Sequence, residues 1–385
     1  MDILIIGNGF DLAHGLKTSY KDFLDFCKEQ AKTSEPAMYF DYKHCLATNL
    51  WLKHFINRQE KLGDTWIDLE KEIYEVVKFI NNHPAASNSG SASMFCPKIL
   101  LIEKTDNSFT FNKLKEKYFR QPNDFEQVKT NNYKILTQVV DSSFVEIYLE
   151  KSNFFINFLY DQLREFIKGF ESYLIHEVLE QLNENSPYRL SLQSIGVAPS
   201  SQDVHILSFN YTDTCEKLYR HKFNTYCELS IKPVYVHGKV GCNNTCELVL
   251  GTHSFESSEK YGAISPRLNV FKKHNQRHRY GTIEAYQALI KTMTNPKKII
   301  KPVFHIIGHS LDETDHKILK HILSIKNNAT IKVYYHDEES QERLINNITD
   351  IIGEEEVMAK VQFIDQHDEK RGILRPVERT VLTSY

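Results

Sequence analysis

The chain begins with a short apolar run that leads directly into a glycine turn: Asp2–Ile6 is followed by Gly7-Asn8-Gly9. An apolar, β-branched run of this length suits a strand buried on both faces of a parallel sheet. The two glycines allow a tight turn and let backbone N–H groups approach a ligand closely. Thr18 and Ser19 then supply a helix cap ahead of residues 20–29. A strand, a glycine turn and a helix in this order predict a nucleotide site at the carboxyl end of the strand.

The turn lacks the third glycine of the dinucleotide-binding fingerprint, because Leu12 stands where that glycine should be. The chain therefore does not carry a dehydrogenase fingerprint. It also has no P-loop, no H-E-x-x-H helix and no G-x-S-x-G nucleophile elbow, since Gly308-His309-Ser310 is not followed by the second glycine.

Strand-like segments alternate with helix-like segments from residue 203 onward. Such alternation implies parallel strands joined by right-handed crossovers. The preceding residues 20–183 are predicted to be mostly helical, with a long amphipathic helix over 154–182. The later strands are predicted at residues 204–209, 233–236, 303–307, 331–335 and 360–364, with helices at 213–221, 282–294, 313–325 and 338–352.

These elements predict an α/β fold: a parallel, Rossmann-like sheet flanked by helices, with a large, mainly helical insertion after the first strand. We expect the nucleotide-binding core in residues 1–30 and 190–365. The helical insertion is expected in residues 31–189, and residues 366–385 are expected to form a polar C-terminal tail.

The bulk composition is that of an ordinary globular protein, with 41% hydrophobic and 25% charged residues. A net charge of -3 gives no electrostatic argument for binding nucleic acid or a membrane surface. No apolar run approaches the roughly 20 residues that a membrane span needs, and no signal peptide is recognised. We therefore expect a cytoplasmic protein that binds neither membranes nor nucleic acid.

The seven cysteines are scattered and do not form a disulfide framework. Cys242 and Cys246 are the closest pair, and a zinc site would need two further ligands, for which His237 and His253 are candidates. We interpret the two cysteines as reduced residues in a polar loop and expect no metal site.

Small and polar residues follow four of the predicted strands, where an open α/β sheet binds its ligands. One such ending is common by chance, whereas four at one edge predict a pocket. The four segments are Gly7-Asn8-Gly9-Phe10-Asp11 with the nearby His14, Ser208-Phe209-Asn210-Tyr211-Thr212, His237-Gly238, and Gly308-His309-Ser310-Leu311-Asp312.

Each candidate also has a structural interpretation. Asn210 is able to bond turn backbone groups, and His237 is also consistent with a core histidine. Ser310 and Asp312 are suited to cap the following helix. The basic segment 267–279, with five Lys and Arg residues, is either a solvated face or a source of phosphate contacts.

In this order, these motifs resemble the AbiH family of bacterial phage abortive-infection proteins. The resemblance spans nearly the whole chain and implies a role in phage defence. It rests on the run from Ile5 to Leu16 (IIGNGFDLAHGL) with Thr18, Tyr20 and Phe23, on Trp66-Ile67-Asp68-Leu69-Glu70, on Ser208-Phe209-Asn210-Tyr211-Thr212, on His237-Gly238, and on Gly308-His309-Ser310-Leu311 with Asp315.

The first motif is also similar to the G-x-G-x-S-x-x-x-G-[IL]-P motif of sirtuin-like proteins, some of which hydrolyse NAD. Asp11 stands at the serine position and Lys17 at the proline position, and the sirtuin zinc cysteines have no counterpart, which argues against protein deacetylation. This resemblance implies that Asn210 positions a water and that His237 acts on the nicotinamide ribose hydroxyls, as a catalytic pair. The residues it implies for nucleotide binding are Gly7, Asn8, Gly9, Phe10, Asp11, His14, Gly308, His309, Ser310 and Asp312.

The resemblance therefore implies a sirtuin-like core that hydrolyses NAD or a related nucleotide, with NAD as substrate and no required cofactor. Cleavage of the nicotinamide–ribose bond has a cationic transition state, near which Asp11 or Glu70 would add negative charge. The alternative is a non-catalytic nucleotide-sensing or protein-interaction module. A nuclease is disfavoured because no cluster of acidic metal ligands stands out. Expected partners are the nucleotide and either a second copy of the chain or a phage-derived trigger.

Overall fold

The computed structural model describes residues 1–34, 37–63, 67–82, 101–103, 135–136, 144–147, 152–180, 204–217, 233–241, 246–253, 266–295, 301–325 and 328–366. Several features of the sequence analysis lie outside these ranges. They are Trp66, Cys242, the second half of the helix expected at 213–221, and residues 367–385 of the expected tail.

Nine strands occur in the described residues, and six of them form the predicted parallel sheet. They are β1 (Asp2–Ile6), β2 (Leu101–Glu103), β3 (Ile135–Leu136), β4 (Phe144–Ile147), β5 (Val204–Ser208), β6 (Val234–Tyr235), β7 (Val303–Ile307), β8 (Thr330–Tyr335) and β9 (Val361–Asp365).

The α-helices of the described ranges are numbered in the same way. They are α1 (Asn8–Ala13), α2 (Tyr20–Lys32), α3 (Tyr42–Thr48), α4 (Leu50–Lys61), α5 (Leu69–Asn82), α6 (Ser152–Tyr173), α7 (Lys273–Arg279), α8 (Thr282–Met293), α9 (His316–Leu323), α10 (Glu338–Ile352) and α11 (Glu354–Lys360).

The large sheet has the order β6-β5-β1-β7-β8-β9, and every neighbouring pair in it is parallel. Counted along the chain within this sheet, the order is 3-2-1-4-5-6, which is that of dinucleotide-binding sheets. The prediction of a parallel, Rossmann-like α/β fold flanked by helices is therefore confirmed. β1 lies at the centre, and Ile3, Leu4, Ile5 and Ile6 are all buried, as its unbroken apolar sequence requires.

The strand register brings four carboxyl ends to the same level of the sheet. Ile6 of β1 is the partner of Ser208 in β5 and of Ile307 in β7, and Ser208 is in turn the partner of Tyr235 in β6. The segments that follow these strands therefore begin side by side. This is the edge at which sheets of this class bind ligands.

Apolar side chains on alternate strand positions fill the core on one side of the sheet, where helices α8, α9 and α10 contribute the opposing residues. α10 begins with a capping box in which Asp337 and Ser340 satisfy each other's backbone N–H groups. The main members of this core are Ile3, Ile5, Leu207, Phe304, Ile306, Ile331, Val333, Tyr286, Leu289, Met293, Leu319, Ile322, Leu344 and Ile348.

The chain forms two compact units. The first consists of Met1–Ser19, Glu171–Val249 and Gln276–Tyr385 and contains the six-stranded sheet. The second consists of Tyr20–Phe170 and Leu250–Asn275 and contains helices α2 to α5.

The second unit has an aromatic core. Phe166 of α6 lies between Phe23 and Phe55, with ring centroids 5.5 and 5.0 Å away, and Phe170 contacts Phe23 at 5.1 Å. These rings are fully buried and fix how the helices of this unit pack together.

Two local features differ from the sequence expectations. The second unit contains a three-stranded antiparallel sheet, β2-β4-β3, in a region expected to be mostly helical. Its strands span only two to four residues, too few for an alternating pattern to stand out. The helix expected at 313–325 begins instead as a 3₁₀ turn, Glu313–Asp315, before α9.

Candidate functional site

The residues predicted to bind or cleave the nucleotide lie in the first unit, on the segments that follow β1, β5, β6 and β7, whereas Glu70, the alternative to Asp11 as a source of negative charge, lies in the second unit. Buried polar side chains on and near these segments form two groups. The first group lies after β1 and β5 and consists of Asp11, Asn210, Thr212 and Thr214. The second connects the segments after β6 and β7 and consists of His237, Arg277, His309 and Asp315.

The glycine turn after β1 is packed directly against the turn after β7. The Gly7 N–H donates to the Ile307 carbonyl at 3.0 Å, and the Gly9 N–H donates to the Gly308 carbonyl at 2.7 Å. The Phe10 N–H donates back to the Gly7 carbonyl at 2.9 Å. Three N–H groups of the predicted phosphate turn are therefore hydrogen-bonded within the chain.

The glycines at this contact are required because the two backbones approach so closely. A Cβ atom on Gly7 would lie 2.5 Å from His309 Cα, and one on Gly9 would lie 2.8 Å from Gly308 Cα. Gly308 has a φ of +62°, and a Cβ there would lie 2.2 Å from the Phe10 backbone nitrogen. The contact between the turns therefore accounts for all three glycines without a ligand.

Asp11 is a carboxylate buried at the end of the central strand, with 1% of its surface exposed. Its Oδ2 accepts a hydrogen bond from the Thr212 hydroxyl at 2.5 Å, and Thr214 donates to Thr212 at 3.1 Å. Its Oδ1 is buried and has no hydrogen-bond partner in the part of the chain that the structure describes. Burial raises the pKa of Asp11 from 3.8 to about 6, although the Thr212, Thr214 and Asn210 side chains partly oppose this.

Asn210 lies on the neighbouring segment after β5, with 6% of its surface exposed. Its backbone N–H donates to the Ser208 hydroxyl at 3.2 Å, which orders the turn. Its side-chain amide lies close to the Asp11 carboxyl and lowers the pKa of that group. The amide oxygen of Asn210 is buried and has no hydrogen-bond partner among the described residues.

His237 belongs to a buried cluster organised around the Asp315 carboxylate. Its Nε2 lies 3.1 Å from Asp315 Oδ1 and 3.2 Å from Oδ2, and Arg277 Nη2 lies 3.0 Å from Oδ1. The same Arg277 nitrogen approaches His237 Nδ1 at 3.4 Å. Because a guanidinium only donates, Nδ1 acts here as acceptor and Nε2–H donates to Asp315.

His309 faces the same carboxylate from the turn after β7. Its Nδ1 accepts from the Leu311 N–H at 2.9 Å, and its Nε2 lies 3.9 Å from Asp315 Oδ2. The ring packs edge-on against Phe209 with centroids 4.4 Å apart. Leu311 has a φ of 57°, a strained conformation for a leucine, and its fully buried side chain holds it there.

The remaining predicted residues make local contacts. His14 Nδ1 donates to the Phe10 carbonyl at 2.6 Å, and burial lowers the pKa of this histidine. The exposed Asn8 accepts from the Thr18 hydroxyl at 2.7 Å. Asp312 Oδ1 accepts from the Thr314 N–H at 3.1 Å, as expected of a cap, and the Ser310 side chain is exposed.

The basic segment is less solvated than its sequence indicates. Lys273 and Arg277 are both buried, and each forms an ion pair within its own unit. In the second unit Lys273 Nζ lies 2.5 Å from Glu70 Oε2. The negative charge of Glu70 is therefore balanced by a buried lysine, whereas no cationic side chain within the described ranges forms an ion pair with Asp11.

Part of both buried groups is not evident from the sequence. The signal for Thr214 is only that it follows Thr212 closely on the segment after β5. Asp315 appeared only in the resemblance to a family, and nothing in the sequence pairs it with Arg277, 38 residues earlier. The described residues contain no group of three or more His, Cys, Asp or Glu side chains placed to hold a metal ion together.

Comparison with known proteins identifies the family. The sequence model described as bacteriophage abortive infection AbiH matches residues 3–335, which is most of the chain. No curated protein matches this sequence. Among the described residues, no helix combines the length and the apolar character needed to cross a membrane. The chain belongs to the AbiH family, and its role is accordingly in abortive infection by bacteriophage.

Proposed function

We propose that this AbiH-family protein acts in phage defence by hydrolysing the nicotinamide–ribose bond of NAD or of a related nucleotide. One observation carries the proposal: the adjacent Asp11 and Asn210 each bury a side-chain oxygen without a hydrogen-bond partner. Such a group costs a folded protein about 1–3 kcal/mol. Unsatisfied oxygens at the ligand-binding edge of a nucleotide-type sheet therefore favour a site whose hydrogen bonds are completed by a ligand.

The chemistry of this bond fits the two side chains. The C1′–N bond breaks with its electron pair remaining on the pyridinium nitrogen, so nicotinamide leaves as a neutral molecule and needs no acid catalyst. Positive charge develops on the ribose ring, where the negative charge of Asp11 stabilises it. A water oxygen then bonds to C1′ and its proton leaves to bulk water, giving ADP-ribose, nicotinamide and one proton.

Asn210 is assigned the nucleophilic water in this proposal. Its unpartnered oxygen is an acceptor, and a water that donates to it is held with a lone pair available for C1′. Both ring nitrogens of His237 lie within hydrogen-bonding distance of Asp315 or Arg277. The role of His237 at the ribose hydroxyls remains a prediction, and a His237→Ala variant tests it.

Nicotinamide release from NAD by the purified protein tests the proposal directly. Wild type is expected to release nicotinamide, alone or with lysate from phage-infected cells, and Asn210→Ala is expected to lower the rate by about a hundredfold because the water is no longer held. Asn346→Ala, at an exposed position on α10, is the matched control and should behave as wild type. A wild-type protein that releases no nicotinamide under either condition contradicts hydrolysis and supports the non-catalytic sensing module.

The same variants connect the chemistry to defence. Cells that express Asn210→Ala or His237→Ala are expected to lose phage protection at unchanged protein level, while Asn346→Ala cells keep it. Full protection by Asn210→Ala would mean that this residue is structural and that defence does not depend on the proposed reaction.

A further inference from the structure

The unpartnered oxygen of Asp11 defines what kind of group is missing from this site. A carboxylate oxygen only accepts hydrogen bonds, so its partner must be a donor or a cation. Oδ2 already accepts from Thr212, whereas Oδ1 is buried and has none. The amide oxygen of the neighbouring Asn210 is also buried without a hydrogen-bond partner in the described part of the chain, so the ends of β1 and β5 each carry one unsatisfied acceptor.

The negative charge around Asp11 favours a neutral hydroxyl over a phosphate as the ligand group at this carboxylate. The negative charge of Asp213 lies close enough to Asp11 to raise its pKa further. No lysine, arginine or histidine in the described part of the chain forms an ion pair with Asp11. A phosphate brought to this carboxylate would meet unscreened repulsion in a buried setting, whereas a neutral hydroxyl would not.

The backbone next to Asp11 also offers a phosphate few N–H groups as hydrogen-bond donors. The N–H groups of Gly7, Gly9 and Phe10 already donate to carbonyls of the chain, as the contact between the two turns requires. Helix α1 spans only six residues, so it presents no extended N-terminus. In sheets of this order, the glycine turn after the central strand is the expected pyrophosphate site.

We propose that Asp11 accepts a hydrogen bond from a ribose hydroxyl, so that the end of β1 holds the sugar of the nucleotide and not its pyrophosphate. This inference rests on the proposed function in so far as the ligand is a nucleotide. It assigns one donor to each buried acceptor: the sugar hydroxyl to Asp11 Oδ1 and the attacking water to Asn210 Oδ1. The pyrophosphate then lies away from the glycine turn.

Phosphate-free nucleosides test the sugar contact on the unaltered protein. Calorimetry would compare nicotinamide riboside and adenosine with their 2′-deoxy and 3′-deoxy analogues, with inosine, and with inorganic pyrophosphate. Loss of the hydroxyl that Asp11 accepts is expected to weaken binding by at least about tenfold, because a hydrogen bond to a charged acceptor is lost. Replacing adenosine by inosine, which lacks the exocyclic amine, is expected to change binding little.

The variant Asp11→Asn keeps the shape of the side chain and removes its charge. It is expected to bind the ribosides more weakly and to discriminate less against the deoxy analogue. Asp350→Asn, an exposed position on α10, serves as the matched control and should keep wild-type discrimination. Thermal unfolding of each variant shows whether it is folded, and the comparison of ligands on wild type does not depend on any variant.

Four results would overturn the inference. They are equal binding of ribosides and both deoxy analogues, absence of riboside binding, a loss seen with inosine but not with the deoxy analogues, and inorganic pyrophosphate that competes with the ribosides for wild type. Failure of the hydrolase proposal is a separate result. If the protein prefers ribosides over deoxyribosides but releases no nicotinamide, the proposed sugar contact stands and only the proposed hydrolysis is contradicted.

Discussion

Asp11 shows, at the scale of a single residue, the stability cost of burying a carboxylate. Its carboxyl has a pKa of about 6 in the folded chain against 3.8 ordinarily. This difference corresponds to a cost of about 3 kcal/mol when the group is ionised. A neutral side chain of the same shape would avoid that cost, which the ligand hydrogen bond proposed for Asp11 would offset.

The cost of ionising the buried Asp11 predicts that the stability gained in the variant Asp11→Asn depends on pH. Between about pH 4 and pH 6 the folded Asp11 holds its proton and the unfolded one does not, so the contribution of this group to stability falls as pH rises. Above about pH 6 both states are ionised and the penalty is constant. We therefore expect Asp11→Asn to raise the free energy of unfolding by up to about 3 kcal/mol near pH 7, and by close to nothing near pH 4.

Urea unfolding of wild type, Asp11→Asn and the control Asp350→Asn at several pH values would measure this. Subtracting the curves removes the other titrating groups, which the variants share. A stability difference that is independent of pH, or a loss of stability near pH 7, would contradict the assigned burial cost.

Individual site residues also differ in whether the sequence alone predicts their contacts. Asp11 and Asn210 were found because each follows a recognisable strand, and position alone predicts that such residues converge at one edge. The pairing of Arg277 with Asp315 and His237 was not found, because it depends on where separate segments meet in space. The ion pair of Lys273 with Glu70 escaped notice for the same reason.

At the scale of elements, the contact between the turns after β1 and β7 explains the glycines of both. From the sequence alone, a glycine pair after a strand favours a ligand-binding turn. In the structure the turn after β7 lies in van der Waals contact with the turn after β1. No local sequence pattern predicts this contact, because the two turns are far apart in the chain. The binding roles predicted for Gly7, Gly9 and Gly308 remain predictions, and packing alone already requires these residues.

Gly308→Ala tests the packing role against a matched control. Gly308 and Gly281 have similar φ values of +62° and +71°, but a Cβ on Gly281 would meet nothing within 4 Å. Gly281→Ala should therefore cost only the backbone strain, about 1 kcal/mol, whereas Gly308→Ala adds a clash with the β1 turn for about 2–4 kcal/mol in total. Equal losses for the two variants in chemical unfolding would show that the close contact does not contribute.

Element boundaries in the large sheet were predictable to within one or two residues, because its strands are apolar runs bounded by polar turns. β1 and β7 have the predicted limits, and the other four strands differ slightly at their ends. The small antiparallel sheet was not predictable, since strands this short carry no periodic signal. Helix α6 was predicted, but its passage into the π-helical turn Leu174–Leu179 was not.

At the scale of the whole molecule, the sheet predicts a gradient of local stability. β1 is paired on both sides, and its residues from Ile3 to Ile6 are fully buried. The edge strands differ: β6 has two residues, and β9 is only partly buried. Native-state hydrogen exchange should therefore find the slowest amides in β1 and β7 and faster exchange in β6 and β9. Comparable protection across all six strands would contradict this gradient.

The position of β1 in the sheet also determines when the two halves of the candidate site come together. β1 is made first, but its partners β5 and β7 follow about 200 and 300 residues later, and Asp11 meets Thr212 across 201 residues of sequence. At ordinary synthesis rates of about 5–20 residues per second, the first strand waits roughly 10–40 s for its nearest partner. Nascent or terminated chains that end before Asn210 therefore hold only half of the Asp11–Asn210 pair. The activity proposed for this pair is accordingly confined to chains in which β1 and β5 have paired.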